Sequence, residues 1–311
     1  MNIALFGGAG FIGKNLTLKL AEDANNHITV VDADRAYFSE VEPLVGENVA
    51  FRQSSFDRNT DFASLLEGQE IVYHLVSSSV PTTANSKIPQ EMDANIVTSA
   101  LFLDGCVKAG VKRVVFLSSG GTVYGKEGKC PLKEDTLTKP ITSYGVQKLA
   151  IEQLLYLYWY MHGLDYRIIR PGNPYGPYQR PNGVLGAATT FTYKALKKEE
   201  ITVYGDGSVV RDYIYIDDAV RAIIDIANGE GEERLFNLGC GYGTSLNELL
   251  SVIKKVVGED LNITYRAGRS VDVPVNYLDI ERYETAFGKL NPISLEEGIR
   301  RTADFLAKHY V

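Results

Sequence analysis

Residues 2–13 read NIALFGGAGFIG. A short β-favouring run, Asn2–Phe6, meets a cluster of glycines, and from Gly13 to Asp23 the apolar residues recur at helical spacing. Gly7, Gly10 and Gly13 are spaced G-x-x-G-x-x-G, with Phe11 and Ile12 in the same turn. Glycine at those points permits a tight turn, close backbone approach to a pyrophosphate and close helix packing. The amino end of the helix then faces the anion. Glycines also mark ordinary turns, so a second sign is needed. It is Asp32, in VVDAD at the end of the next apolar run. A carboxylate there accepts from two ribose hydroxyls and repels a 2′-phosphate, which favours NAD over NADP. Arg35 is the opposing sign.

Working outward, His27–Val31, Val49–Arg52, Ile71–Leu75, Arg113–Leu117 and Tyr166–Arg170 read as further strands. Gly13–Asp23, Asp61–Glu67, Asn95–Ala109 and Ser143–His162 read as the helices between them. That alternation predicts an α/β fold, a doubly wound parallel (Rossmann) sheet with ligands at the carboxyl ends of its strands. Past residue 170, Gly and Pro crowd Pro171–Gly186 and the alternation loosens. The expected organisation is an NAD-binding domain over 1–170 and a smaller substrate-binding lobe over 171–311, with late segments returning to the first domain.

The chain has 311 residues, 45% hydrophobic and 23% charged, with a formal net charge of -7 that argues against a nucleic-acid partner. No apolar run is long enough to span a bilayer, and the first residues lack a charged leader, so no membrane association is expected. Three scattered cysteines and four histidines give no metal pattern and fit a cytoplasmic protein. The stretch LLYLYWYMHG, residues 154–163, has aromatics at nearly every position. Such a helix is either buried on two sides within the monomer or shared with a symmetry mate, and a homodimer is the expected assembly.

Tyr144 and Lys148, in YGVQK after Thr142-Ser143, sit at a helix start. Spacing of i, i+4 puts phenol and ammonium on one face. A lysine beside the phenol, with a positive nicotinamide near it, favours phenolate and lowers the tyrosine pKa. A tyrosine so tuned takes a proton from a sugar hydroxyl while the same carbon is oxidised.

Together with SSGGTVYG (118–125), these motifs resemble the extended short-chain dehydrogenase/reductases, specifically the NAD-dependent sugar epimerase/dehydratase group, over nearly the whole chain. IIRPGNPYGP (168–177), VYGDGSVVRDYIYIDD (203–218) and RSVDVP (269–274) carry the resemblance further. It implies NAD contacts at Leu75, Val76 and Asn95, beside Tyr144 and Lys148. It implies a nucleotide-sugar, a UDP-sugar, at Asn173, Val184, Tyr204, Arg211, Arg269, Asp272 and Asn276, with the arginines on phosphate and Asp272 on a ribose.

Dehydrating members of that family carry Thr-Asp-Glu before Val-Tyr-Gly; here those positions are Gly120, Gly121 and Thr122, which disfavours elimination. The 4-epimerases read Ser-Ser-Ser-Ala-Thr-Val-Tyr-Gly, but the serine they use aligns with Gly120. Thr122 or Ser119 is left to supply the hydroxyl, and the two glycines are expected to widen the site. The resemblance therefore implies a UDP-glucose 4-epimerase-like isomerase that works through a 4-keto intermediate, with Tyr144 as acid/base and Lys148 tuning it. The alternatives are another nucleotide-sugar dehydratase or reductase, or a catalytically silent NAD-binding regulator. Counting from Asp272 places the family's sugar-pocket wall on Asn276, small enough to admit a 2-acetamido group. Otherwise Asn276 caps a turn and Tyr277 forms the wall.

Overall fold

The structure is a computed structural model that describes residues 1–79, 85–181, 186–268 and 273–311. Val184, Arg269 and Asp272 lie outside the described residues. In chain order the first strands are β1 (Asn2–Phe6), β2 (His27–Asp32), β3 (Val49–Gln53), β4 (Ile71–His74), β5 (Arg113–Leu117) and β6 (Asp165–Pro171). The helices between them are α1 (Phe11–Ala21), α2 (Phe62–Leu66), α3 (Ile88–Met92), α4 (Thr98–Ala109) and α5 (Ser143–His162). There follow β7 (Asn173–Tyr175), α6 (Ala187–Leu196), β8 (Ile201–Tyr204), β9 (Val210–Arg211), β10 (Tyr213–Tyr215), α7 (Ile216–Asn228) and β11 (Leu235–Leu238). The chain closes with β12 (Thr244–Ser245), α8 (Leu246–Val257), β13 (Ile263–Arg266), β14 (Val275–Asn276), α9 (Glu281–Phe287) and α10 (Leu295–His309).

A seven-stranded parallel sheet runs β11-β6-β5-β4-β1-β2-β3. From β1 the chain steps outward through β2 and β3, then returns to lay β4 on the other side of β1. That reversal makes the carboxyl ends of β1 and β4 the switch point where such sheets bind ligands. β1, β4 and β5 are buried almost throughout, as strands covered on both faces must be.

Two compact units are built on this chain. The first comprises Met1–Ser119, Thr142–Ile169 and Ile223–Leu235; the second comprises Gly120–Ile141, Arg170–Ala222 and Phe236–Val311. Segment 223–235 belongs to the first unit, in the manner of the returning segments expected of the second lobe, and 120–141 belongs to the second unit although it precedes residue 170. In the first unit a core of Phe6, Phe62, Val72, Phe102, Val114, Phe116, Ile151 and Leu155 joins sheet and helices. In the second, Val123, Tyr124, Leu132 and Leu278 form a smaller cluster.

The helix expected over Asn95–Ala109 is more complex. α3 passes into a π-helical turn, Asp93–Val97, before α4 begins. Wide turns of this kind recur at functional sites, and this one carries Asn95, which is buried.

Gly105, within α4, lies so close to α2 that an added Cβ would sit 2.6 Å from Phe62 Cβ. Gly-to-Ala changes in open helices stabilise by about 1 kcal/mol. Gly105→Ala is expected instead to destabilise by about 1–3 kcal/mol, because the obstructing atom is fixed to the backbone. Urea unfolding checks this, and a more stable variant would contradict it.

Candidate functional site

In the first unit the glycine turn is shaped by contacts that only hydrogen allows. Gly7 adopts φ +85°, and a Cβ on it would lie 3.0 Å from Val76 N and 3.1 Å from Leu75 C. The segment after β4, anchored by Leu75 N donating to Phe6 O at 2.9 Å, thus packs directly on the turn. A Cβ on Gly13 would stand 2.6 Å from both Gly7 O and Gly8 Cα. Gly10, the residue before α1, offers no side chain to cap that helix. The first amides of α1, from Phe11, Ile12 and Gly13, are accordingly presented as an anion site.

Asp32 closes the turn from the other side. Its Oδ2 accepts from Ala9 N at 3.0 Å and its Oδ1 from Ala33 N at 2.8 Å. Each oxygen keeps a lone pair for a ribose hydroxyl. Arg35, the opposing sign, is paired with Glu42 and lies 5.7 Å over the Phe51 ring. The cradle that a Cβ would fill, the uncapped helix and the carboxylate fit a dinucleotide.

Asn95 is 6% exposed and organises a polar network. Its Nδ2 donates to Gln147 Oε1 at 2.7 Å and Ser78 Oγ at 2.8 Å, and its Oδ1 accepts from Ser78 N at 2.9 Å. Gln147 lies on α5. Ser143, the first residue of α5, donates through Oγ to Glu91 Oε2 at 2.5 Å and through N to Asn85 Oδ1 at 2.7 Å. Thr142 caps the same helix by accepting from Gly145 N at 3.2 Å. These bonds fix the turn that carries Tyr144. Sequence reading missed Ser143, Gln147 and Glu91, since nothing in their spacing signals a network.

Lys148 is 4% exposed; its Nζ donates to Leu117 O at 2.7 Å and lies 5.6 Å from the Tyr144 ring centroid. Burial pulls the ammonium down to about 7, with the carboxylate of Glu152 opposing. Burial pushes the Tyr144 phenol up to about 12. The expected lowering of the tyrosine is therefore absent from the protein alone. Desolvation of phenolate prevails, and a bound positive nicotinamide is the group left to reverse it.

Ser118 is buried and bonded to Glu152, while Ser119 is half-buried. Thr122 belongs to the second unit, where its Oγ1 is buried without a hydrogen-bond partner among the described residues. A buried hydroxyl left unpaired is costly, and this one has its donor to spare among the described residues.

The second unit brings several other expected residues together. Arg211 and Asn276 are paired directly in the register of β9 and β14. Arg211 Nη1 donates to Val273 O at 2.6 Å. Asn276 is 1% exposed; its Nδ2 donates to Gly120 O at 3.2 Å, and its Oδ1 has no partner among the described residues. Tyr277 is half-buried, with its ring beside Gly243. Asn173 Nδ2 donates to Asp212 O at 3.0 Å, and Tyr204 ends β8 half-buried. Asp212, which sequence reading passed over, is fully buried and accepts from Cys240 N at 2.7 Å and Leu278 N at 3.2 Å; burial raises it to about 6.

Gly120 does not widen the site. A Cβ there would meet Leu278 Cδ1 at 2.7 Å and Arg170 O at 2.9 Å, so the space beside Gly120 is filled by Leu278. Among the described residues no group of side chains could hold a metal, and no helix is long and apolar enough to cross a membrane.

Residues 3–239 match the model of the NAD dependent epimerase/dehydratase family. The UDP-glucose 4-epimerase of Mycolicibacterium smegmatis is 30% identical over 307 residues, 98% of each chain. The solved UDP-glucose 4-epimerase of Thermotoga maritima, with UDP-glucose, superposes at a TM-score of 0.90 with 33% identity over 99% of both chains. The UDP-N-acetylglucosamine 4-epimerase of Methanobrevibacter ruminantium, in complex with UDP-N-acetylmuramic acid, gives 0.89 and 27%, covering 99% of this chain and 98% of that one.

Gly13→Ala is expected to lower NAD affinity about tenfold or more, because the added carbon pries α1 from the turn that faces the pyrophosphate. Titration calorimetry reads this directly, and unchanged affinity would refute the cradle.

Proposed function

The chain belongs to the NAD dependent epimerase/dehydratase family, and from that premise we propose that it is a UDP-sugar 4-epimerase. It interconverts UDP-glucose and UDP-galactose, or their N-acetylated forms, through a 4-keto intermediate. The observation that carries the reading is the buried Lys148 behind Tyr144, on a helix start locked by Ser143 and Gln147. NAD, the family's cofactor, supplies reversible two-electron acceptance when bound.

The chain's own residues do the rest. Gly7, Gly10, Phe11, Ile12 and Gly13 hold the pyrophosphate, Asp32 a ribose, and Leu75, Val76 and Asn95 shape the remainder of the cofactor site. Tyr144 Oη takes the proton of the sugar 4-hydroxyl and returns it once the ketone has turned over. Lys148 stabilises the phenolate by its charge. Thr122 donates to the same sugar oxygen, as its unpaired Oγ1 allows, with Ser119 as the competing candidate. In the substrate lobe, Arg211 and Arg269 hold the diphosphate, Asp272 a ribose, and Asn173, Val184, Tyr204 and Asn276 complete the UDP-sugar site. The protein works in the cytoplasm as a homodimer. Tyr156, Leu157, Tyr160 and Met161 on α5, with Val97 at the end of the π-helical turn and Leu101 on α4, stay exposed in the single chain and suit a symmetric interface.

Turnover of a UDP-galactose and UDP-glucose panel without added NADH tests the reading; a requirement for stoichiometric NADH would replace it by a reductase. Tyr144→Phe is expected to lower turnover by roughly a hundredfold to ten-thousandfold while NAD stays bound. Thr122→Val is expected to cost far more than Ser119→Ala, and steady-state kinetics showing the reverse order would move the role to Ser119.

Asn276 presents an unpaired buried carbonyl, which suits the N–H of an acetamido group. The enzyme is expected to accept UDP-N-acetylhexosamines as well as UDP-hexoses, and Asn276→Tyr to suppress the acetylated substrate selectively. If only the plain sugar reacts and the variant changes nothing, Asn276 is not the wall.

A further inference from the structure

The serine that opens SSGGTVYG takes no part in the proposed proton transfer, yet it is firmly held. Ser118 is 3% exposed and donates through Oγ to Glu152 Oε1 at 2.5 Å; Glu152 is also 3% exposed. A carboxylate so deep is costly unless it is both hydrogen-bonded and charge-balanced. Ser118 supplies a bond but no charge.

The buried cation on that face is Lys148, four residues earlier on α5. Two adjacent residues at the end of β5 divide the pair between them. Leu117 O accepts from Lys148 Nζ at 2.7 Å, and the Ser118 hydroxyl goes to Glu152. Among the described residues, the aromatic groups around Lys148 bring no negative charge. Nζ lies 4.7 Å from the Phe116 ring centroid and 5.6 Å from that of Tyr144, whose phenol burial keeps protonated. His74, on β4, is held neutral by burial, at about 3, with Nε2 paired to Ser99 Oγ at 2.8 Å.

We propose that Glu152, fixed by Ser118, is the buried counter-charge that keeps Lys148 protonated beside Tyr144. Ser118 and Glu152 are then a positioning pair for the acid/base site. The proposal rests on the Tyr144–Lys148 reading for its meaning in catalysis, but not for its test.

The test combines Glu152→Gln with Lys148→Met in a double-mutant cycle, read by urea unfolding. Glu152→Gln is expected to raise the unfolding constant when Lys148 is present and to do so roughly tenfold less in the Lys148→Met background. Equal effects in both backgrounds would make Glu152 only an anchor for Ser118 and overturn the proposal. Should Glu152→Gln not fold, Lys148→Met decides alone. A carboxylate left without its ammonium binds a proton more readily, so the variant's stability relative to wild type falls as pH rises from about 4 to 6, below the range in which Lys148 itself titrates. A flat difference overturns the proposal. In the holoenzyme, Glu152→Gln moves the alkaline loss of kcat/KM to lower pH by roughly one unit, and Glu152→Asp restores part of it. An unmoved profile counts against the proposal. Failure of the 4-epimerase reading would leave the unfolding cycle intact, so the two are separable.

Discussion

An amine with almost no access to water sets the terms for the first unit. Lys148 is buried among Phe116, Tyr144 and His74, and burial opposes its charge. Holding a cation there requires a carbonyl aimed at it, which Leu117 provides where β5 ends. It also requires α5 to begin at one residue and no other, because a shift of one position swings the lysine by about 100°. Thr142, Ser143 and Gln147 fix that start through the cap and the bonds to Asn85, Glu91 and Asn95. The π-helical turn that buries Asn95 is part of the same arrangement.

The second unit meets a different constraint, a buried carboxylate held by backbone amides. Asp212 is satisfied by backbone amides of Cys240 and Leu278, and Gly239 leaves it room: a Cβ there would lie 2.2 Å from Asp212 Oδ2. That cluster ties down the strands on which Arg211, Asn173 and Asn276 sit. Leu278 serves twice, giving its amide to Asp212 and its side chain to the space above Gly120. The glycine at position 120 in SSGGTVYG thus makes room for a leucine far along the chain.

Much of the fold was legible because it depends on local patterns. β1, β5 and α5 have the bounds read from sequence, since strand runs end at glycines or turns and α5 carries a Thr cap and a terminal Gly163. The glycine turn and Asp32 were legible for the same reason, as their spacing is itself the physical requirement. What depends on distant partners was not. Gly120 read as open space, because Leu278 is 158 positions away in sequence and no periodicity links them. The lowering read for the Tyr144 phenol includes the charge of a nicotinamide, which this chain does not carry, and in the protein alone burial pushes the phenol up. The aromatic run in α5 read as ambiguous. In the single chain Trp159 and Tyr158 pack on the core while Tyr160 is 75% exposed, so burial on two sides within one chain does not hold.

The central claim is that the chain oxidises and re-reduces a sugar at one carbon through Tyr144. The most direct measurement follows UDP-galactose labelled with tritium at C4 through complete turnover in unlabelled water. The account predicts that the label stays on C4 of the UDP-glucose product, because the carbon recovers the hydrogen it gave up while the ketone remains enclosed. Release of the label to water, or its appearance at another carbon, would contradict it.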